Sequence, residues 1–373
     1  MRKVSGRYAL LAVGAALAMS GCAASTQEAG RSRPEQPVPD TVLATSIPPG
    51  TQQVAPAEPL VVTAQHGTLV GVTVTGADGK PLPGLLDPLT NSWTSSPLAW
   101  GTGYRVRATG RNADGKHTTL TSSFSTLPQP ELTLEVERVR PAAGEIVGIA
   151  MPVSISFDRP VTDRAAVQRR LEVVTSVPTE GSFHWFSDRQ VNWRPKEYWK
   201  PGTSVTVHAR LYGVATGDGV FGAEDFSSGF GIGRDQRVFG DVNARTLTAF
   251  VDGVEVRSMR ASYGQSVHPT PSGIHVAFER HRDKPPRSDS GGGQTAGVPG
   301  YYDLTREDGT WFSEWVQPGD PVEIVGSSRP LTPADGDIIA DWAIPWEEYV
   351  AGSALPPPPP PAPTAPTGAV RPV

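Results

Sequence analysis

The sequence predicts a mainly β protein, and three observations carry that prediction. Polar and apolar residues alternate with period two along Thr68–Thr75 and Tyr104–Ala108, as half-buried strands require. Asp-Gly pairs, a strong hairpin-turn signal, stand at 78–79, 114–115, 218–219 and 252–253. A long motif also repeats: NSWTSSPLAWGTGYRVRA (91–108) is echoed by VNWRPKEYWKPGTSVTVHA (191–209). Each copy gives Trp, Pro, Trp, a Gly-Thr turn and an alternating strand, then an Asp-Gly pair and a Ser-rich strand. Two copies of such a unit predict tandem β-sandwiches of immunoglobulin-like type.

The elements follow in order. Arg2, Lys3 and Arg7 precede an almost uninterrupted apolar run from Tyr8 to Met19, then Ser20, Gly21 and Cys22. This is the layout of an export signal, and the run is too short to be a stable bilayer span. Residues 1–21 are therefore expected to be a signal peptide. Cys22, the one cysteine in 373 residues, directly follows the small pair and resembles the lipidated residue of a bacterial lipoprotein. Cleavage is expected between Gly21 and Cys22, with Cys22 carrying lipid. The chain would then sit on the outer face of the cytoplasmic membrane, and multiple acyl chains would hold it firmly. Residues 22–58, rich in Pro, Gln, Ala, Ser and Thr without apolar period, read as a disordered tether.

The first sandwich is assigned to 59–128 and the second to 129–234. Trp93, Trp100, Trp193 and Trp199 are expected in core or rim packing, with a carbohydrate platform as the alternative. A third unit, 235–352, opens with the hairpin Thr246–Val251, Asp252-Gly253, Val254–Arg257. It continues with a short helix over Thr310–Trp315, a strand Pro321–Val325 and an aromatic end, DIIADWAIPWEEYVAG (337–352). Residues 353–373 hold six consecutive prolines, Pro356–Pro361, and read as an extended tail.

Bulk chemistry excludes several functions. Net charge is −5, with 33 basic and 38 acidic residues and no long basic block, so nucleic acid is not an expected partner. One cysteine forms neither an internal disulfide nor a Cys-based zinc site. No metal or cofactor is expected. Ser266 near His268 is sequence proximity without a third group, and a triad is assembled in space. Asp335, Asp337 and Asp341 read as a solvated turn, since a calcium loop needs more oxygen ligands and a Gly at its bend. His184 reads as a surface or rim residue of a sandwich strand.

Long stretches resemble one known family. GIAMPVSISFDRPVTDRAAVQRRLEV (148–173) and FSDRQVNWRPKEYWKPGTSVTVHARLYGV (186–214) are similar to the immunoglobulin-like domain of multi-domain L,D-transpeptidases. RTLTAFVDGVEVRSMRASYGQ (245–265), TPSGIHV (270–276) and TWFSEWVQPGDPVEIV (310–325) resemble parts of their catalytic domain, and DWAIPWEEYVAG (341–352) resembles the segment that follows it. The resemblance implies a cell-envelope protein acting on peptidoglycan stem peptides. In that family a cysteine thiolate takes up the acyl group and a neighbouring stem amine resolves it, making a 3→3 cross-link. The thiol needs activation, a His to accept its proton and donors for the oxyanion. The family supplies these through a conserved His and a Ser-His-Gly-Cys motif.

Here that motif is absent. The chain reads GYYDLTREDGTWFSEW (300–315), no cysteine follows Cys22, and His281 is the last histidine. No residue is expected to be catalytic. The fold class is two tandem immunoglobulin-like β-sandwiches followed by a truncated β-rich L,D-transpeptidase-like domain. Loss of central strands would leave unpaired edges, with Trp311, Trp315, Trp342 and Trp346 less covered. The third domain is therefore expected to be poorly packed, or held by the preceding sandwich. Three functions remain open: an inactive relative binding the wall or partners, an active transpeptidase whose gene holds more residues than this chain, and a spacer without ligand. The sequence leaves oligomeric state open.

Overall fold

The computed structural model describes residues 37–264, 269–277, 302–335 and 341–356. Gly21, Cys22, Ser266, His268 and Asp337 lie outside them. The compact unit starting at Asp40 holds everything that follows.

The first sandwich pairs a four-stranded antiparallel sheet with a three-stranded one. The first sheet runs Val42–Thr45, Val61–Gln65, Ser92–Ser95, Gly84–Asp87; the second runs Thr68–Gly76, Gly103–Arg111, His117–Ser125. Period two decides the faces. Tyr104, Val106 and Ala108 point into the core while Arg105 and Arg107 point out. Leu60, Val62, Trp93, Leu98 and Phe124 fill the space between.

This sandwich begins earlier than the sequence suggested. Val42–Thr45 pairs with Val61–Gln65, and Ile47 and Val54 are buried, so the body starts near residue 41 rather than 59. The apolar residues here are one short run, Val42-Leu43-Ala44, and a few single residues among prolines and polar residues. Their burial comes from the neighbouring strand and leaves no period in the sequence.

The second sandwich opposes two four-stranded sheets. One runs Ile146–Val147, Asp225–Ile232, Ser204–Arg210, Leu171–Thr175; the other runs Gly181–Trp185, Gln190–Pro195, Val153–Phe157, Val136–Arg140. Ile155, Phe157, Trp185, Val191, Trp193, Trp199 and Val207 form its core. The repeat has a structural counterpart. Trp93 lies across Gly84 of the adjacent strand, and Trp193 lies across Gly181 in the same way; a Cβ at either glycine would overlap the indole. Trp100 leaves its own core. It meets Phe221 at 5.3 Å and Tyr212 at 6.2 Å between ring centroids, and Tyr212 Oη donates to Leu98 O (3.1 Å). All four tryptophans therefore pack against protein.

The third region is a six-stranded mixed sheet ordered Gly273–Val276, Pro321–Val325, Gln236–Asp241, Thr246–Val251, Val254–Tyr263, Tyr302–Leu304. Its hairpin turns at Asp252-Gly253, both with positive φ, the backbone that a two-residue type I′ turn needs. A helix spans Arg306–Trp315, four residues earlier at its start than the sequence suggested. Thr305 Oγ1 caps it by accepting from Asp308 N, and Glu307 and Asp308 occupy the positive first turn. Arg257 reaches from the hairpin to Asp308 (2.7 Å) and lies over Trp311.

Poor packing of this region is not what the structure shows. Phe312 is sealed among Val238, Leu247, Met259, Leu304, Val322 and Ile324. The strand Tyr302–Leu304 supplies Val254–Tyr263 with a partner, and the helix closes the core from above. Trp311 and Trp315 stack at 5.3 Å, half-buried. The other half of the expectation holds for the end of the chain. A short helical turn, Asp341–Ala343, and a helix, Trp346–Ala351, pack on the second sandwich. Ser353 and Ala354 belong to that contact through Gln168, so the extended tail does not begin at 353.

Candidate functional site

The densest polar chemistry among the described residues lies on the outer face of the second sandwich. On the strand Gln190–Pro195, Trp193 points inward, so Asn192 and Arg194 point outward. Outward here does not mean exposed: Asn192 is fully buried and Arg194 is 3% exposed, because residues 341–354 lie over them.

Arg194 holds that segment. Its Nε stands 3.5 Å from Asp341 Oδ1, and Nη2 donates to Ile344 O (2.8 Å). The guanidinium lies over Tyr349 (4.3 Å), Trp342 (4.5 Å) and Trp346 (5.3 Å), an aromatic cage for a cation. Asn192 Nδ2 donates to Asp341 Oδ2 (2.7 Å), and Trp342 Nε1 donates to Ala150 O (2.8 Å). Burial pulls the Arg194 pKa down, opposed by Asp341. Burial pushes the Tyr349 phenol well up, with Asp341 adding to the effect. Asp341 is thus no solvated turn residue. Asp335, six residues away, is tied to Arg329 (2.8 Å), and the two carboxylates serve different contacts.

His184 is likewise more than a rim residue. Its Nδ1 lies 3.0 Å from Tyr349 O, and its ring meets Tyr349 at 4.9 Å. Gln168 accepts from Trp185 Nε1 and from Ala354 N, and donates to Ser353 Oγ (2.7 Å). Asn192, Arg194, Asp341 and Tyr349 are buried by protein groups, with no opening for a substrate. The cluster is a clamp.

Two other arrangements resemble chemistry without supplying it. Ser227 Oγ lies 3.1 Å from His208 Nδ1, and Glu172 sits opposite His208 on the next strand. The row is a flat sheet face whose neighbouring backbone N–H groups are committed to the ladder, leaving no oxyanion donors. Glu172 also pairs with Arg210 (2.8 Å). In the third region, His275 is fully buried, with Nε2 2.9 Å from Pro271 O. Burial lowers its pKa, so the neutral ring donates there and is closed to substrate. Among the described residues no group of three His, Cys, Asp or Glu could hold a metal. No helix among them is long and apolar enough to cross a membrane.

The family described as "Bacterial Ig domain" matches residues 51–215, which takes in most of the first sandwich, without its strand Val42–Thr45, and much of the second. L,D-transpeptidase 2 of Mycobacterium tuberculosis (strain CDC 1551 / Oshkosh) is 32% identical over 350 residues, 84% of this chain and 85% of that protein. The chain belongs to the L,D-transpeptidase family. L,D-transpeptidase 5 of Mycobacterium tuberculosis (strain ATCC 25618 / H37Rv) is 33% identical, covering 95% of this chain and 86% of the relative. That alignment runs over 393 positions, more than the 373 residues of this transpeptidase-family chain, so the relative carries residues within the matched span that have no counterpart here. A solved structure of the LD transpeptidase LdtMt1 in complex with imipenem is 29% identical, covering 53% of this chain and all of that one at a TM-score of 0.41.

The clamp was only partly legible. The sequence marked Trp342 and Trp346 as needing cover and joined DWAIPWEEYVAG to the family. It did not mark Arg194 as the partner of a segment about 150 residues on. The available signal was an arginine directly after a core tryptophan, at the position where the first copy has Thr94.

Proposed function

We propose that this chain is an exported, lipid-anchored envelope protein of the L,D-transpeptidase family that engages peptidoglycan stem peptides without catalysing their cross-linking. One observation carries the reading: the only sulfur nucleophile in 373 residues is Cys22, at the position a lipoprotein signal reserves for acylation. A thiol converted to a thioether cannot accept an acyl group. A secondary support is that the remaining third region closes its own core around Phe312, so the chain keeps a stable body where the family keeps its chemistry. Anchorage at Cys22 and cleavage after Gly21 place the sandwiches at the outer face of the cytoplasmic membrane, within reach of the wall.

The test is acylation. The purified chain incubated with a carbapenem should keep its mass, and a covalent adduct would overturn the reading. Isolated peptidoglycan should retain the chain in a pull-down; failure to do so favours the spacer. The excess length of the L,D-transpeptidase 5 alignment favours one second reading, an active enzyme whose gene encodes more residues than this chain carries. Sequencing the gene across Leu304–Gly309 separates the two.

A further inference from the structure

The first sandwich carries an apolar feature that its core does not use. Leu85, Leu86 and Leu89 are 82%, 48% and 96% exposed. They lie on Gly84–Asp87, the outermost strand of its sheet, and on the turn after it. Edge strands are normally protected by charge or cover; here Leu85 and Leu86 stand on opposite faces of the edge strand and Leu89 on the turn beyond it, so the apolar surface is the edge and its turn rather than one sheet face. The turn is also built to present Leu89. Asp87 Oδ1 accepts from Leu89 N (2.9 Å) and Asp87 Oδ2 from Thr90 Oγ1 (2.8 Å).

The turn stands at the end of the sandwich where the chain enters. Asn91 Nδ2 donates to Gly67 O (2.8 Å), and Gly67 abuts Thr41 and the Arg111 carbonyl. Lys116 pairs with Asp40 (2.8 Å) at the same end. The leucine turn, the hairpin tips and the first residues of the body thus share one pole. Pro39 follows Cys22 by 17 residues, and a chain of that length reaches at most about 60 Å.

We infer that the Leu85–Leu89 turn docks the first sandwich onto the lipid surface to which Cys22 is anchored. The inference rests on the lipoprotein reading above. Charges at this pole nearly balance, Arg111 and Lys116 against Asp40, Asp87 and Asp114, so the contact is apolar and indifferent to lipid charge. Three leucines give a weak surface contact on their own. Anchorage makes it intramolecular, where the high effective concentration makes a weak contact sufficient. Docking would set the direction in which the sandwiches project.

The test uses the full chain, produced with its leader and reconstituted into vesicles of phosphatidylcholine or phosphatidylglycerol. Leu89→Cys carries an environment-sensitive fluorophore, and Val254→Cys, on the exposed hairpin of the third sheet, is the control. Expected is a blue shift and strong quenching by lipid-borne nitroxide at 89, in both lipids, with neither at 254. A water-like signal at 89, or a shift confined to phosphatidylglycerol, overturns the docking. So does a shift that appears without vesicles as protein concentration rises, which would indicate pairing of two copies. Labelling reports on anchorage separately. A second fluorophore per chain means Cys22 is a free thiol, and then the lipoprotein reading fails. In that event the same probe on a Cys22→Ala chain, held to vesicles by an N-terminal hexahistidine on nickel-chelating lipid, still decides the docking.

Discussion

The two sandwiches share a tryptophan strand but treat its outer face oppositely. Trp93 and Trp193 each lie inward across a glycine of the neighbouring strand. Facing the other way, the first copy has Ser92 and Thr94, half-buried, and the second has Asn192 and Arg194, sealed under residues 341–354. The second tryptophans also part. Trp199 stays in its own core, 5.2 Å from Trp193, and donates to Met151 O (2.7 Å), whereas Trp100 crosses to Tyr212 and Phe221. Repetition therefore conserves what a unit needs to fold. The positions that diverge are those where a unit meets something outside itself.

Five substitutions probe that contrast. The largest effect is expected at Asp341→Ala, which leaves Arg194 buried beside an empty site. Losing one partner of a buried ion pair costs about 3–5 kcal/mol, and chemical denaturation should show that loss together with faster hydrogen exchange over 341–354. Thr94→Ala, at the place in the first sandwich that matches Arg194, should change stability by less than about 0.5 kcal/mol. Equal effects at the two positions would dissolve the comparison.

Next come Gly84→Ala and Gly181→Ala. Each drives a methyl into an indole, and overpacking of this kind costs about 1–3 kcal/mol. Here the two sandwiches should agree in denaturant midpoint shift, since the shared feature is the core. A tolerated alanine at one site alone would show that the tryptophan strands are not equivalent.

The last effect, on the arrangement of the sandwiches more than on either core, is expected for Trp100→Ala. It removes two edge-to-face pairs, each contributing about 0.5–1.5 kcal/mol beyond area burial, at a junction rather than in a core. Small-angle scattering should show a looser arrangement of the two sandwiches, while the near-ultraviolet signal of the second persists. Unfolding of the second sandwich by this variant would mean that the junction is part of its core.

The same contrast accounts for what was legible beforehand. Strands such as Gly103–Arg111 announce themselves because one face is wet and one dry, and period two records that directly. Val42–Thr45 escaped because it sits at an edge, both of its faces exposed or half-exposed, with prolines on either side. The Arg306–Trp315 helix was seen from its aromatic end, but its start depends on the Thr305 cap, a single side chain.

By itself the sequence determined the β class, the repeated unit, the hairpin turns, the family likeness and the solitary thiol at Cys22. All are properties of local pattern or of residue type, which need no knowledge of the distant chain. Only the tertiary structure decided that Arg194 is a buried clamp, that the final segment belongs with the second sandwich, and that the third sheet closes around Phe312. Each of these depends on which surfaces meet across long stretches of chain. An arginine in a strand is written identically whether water or a tryptophan cage lies above it.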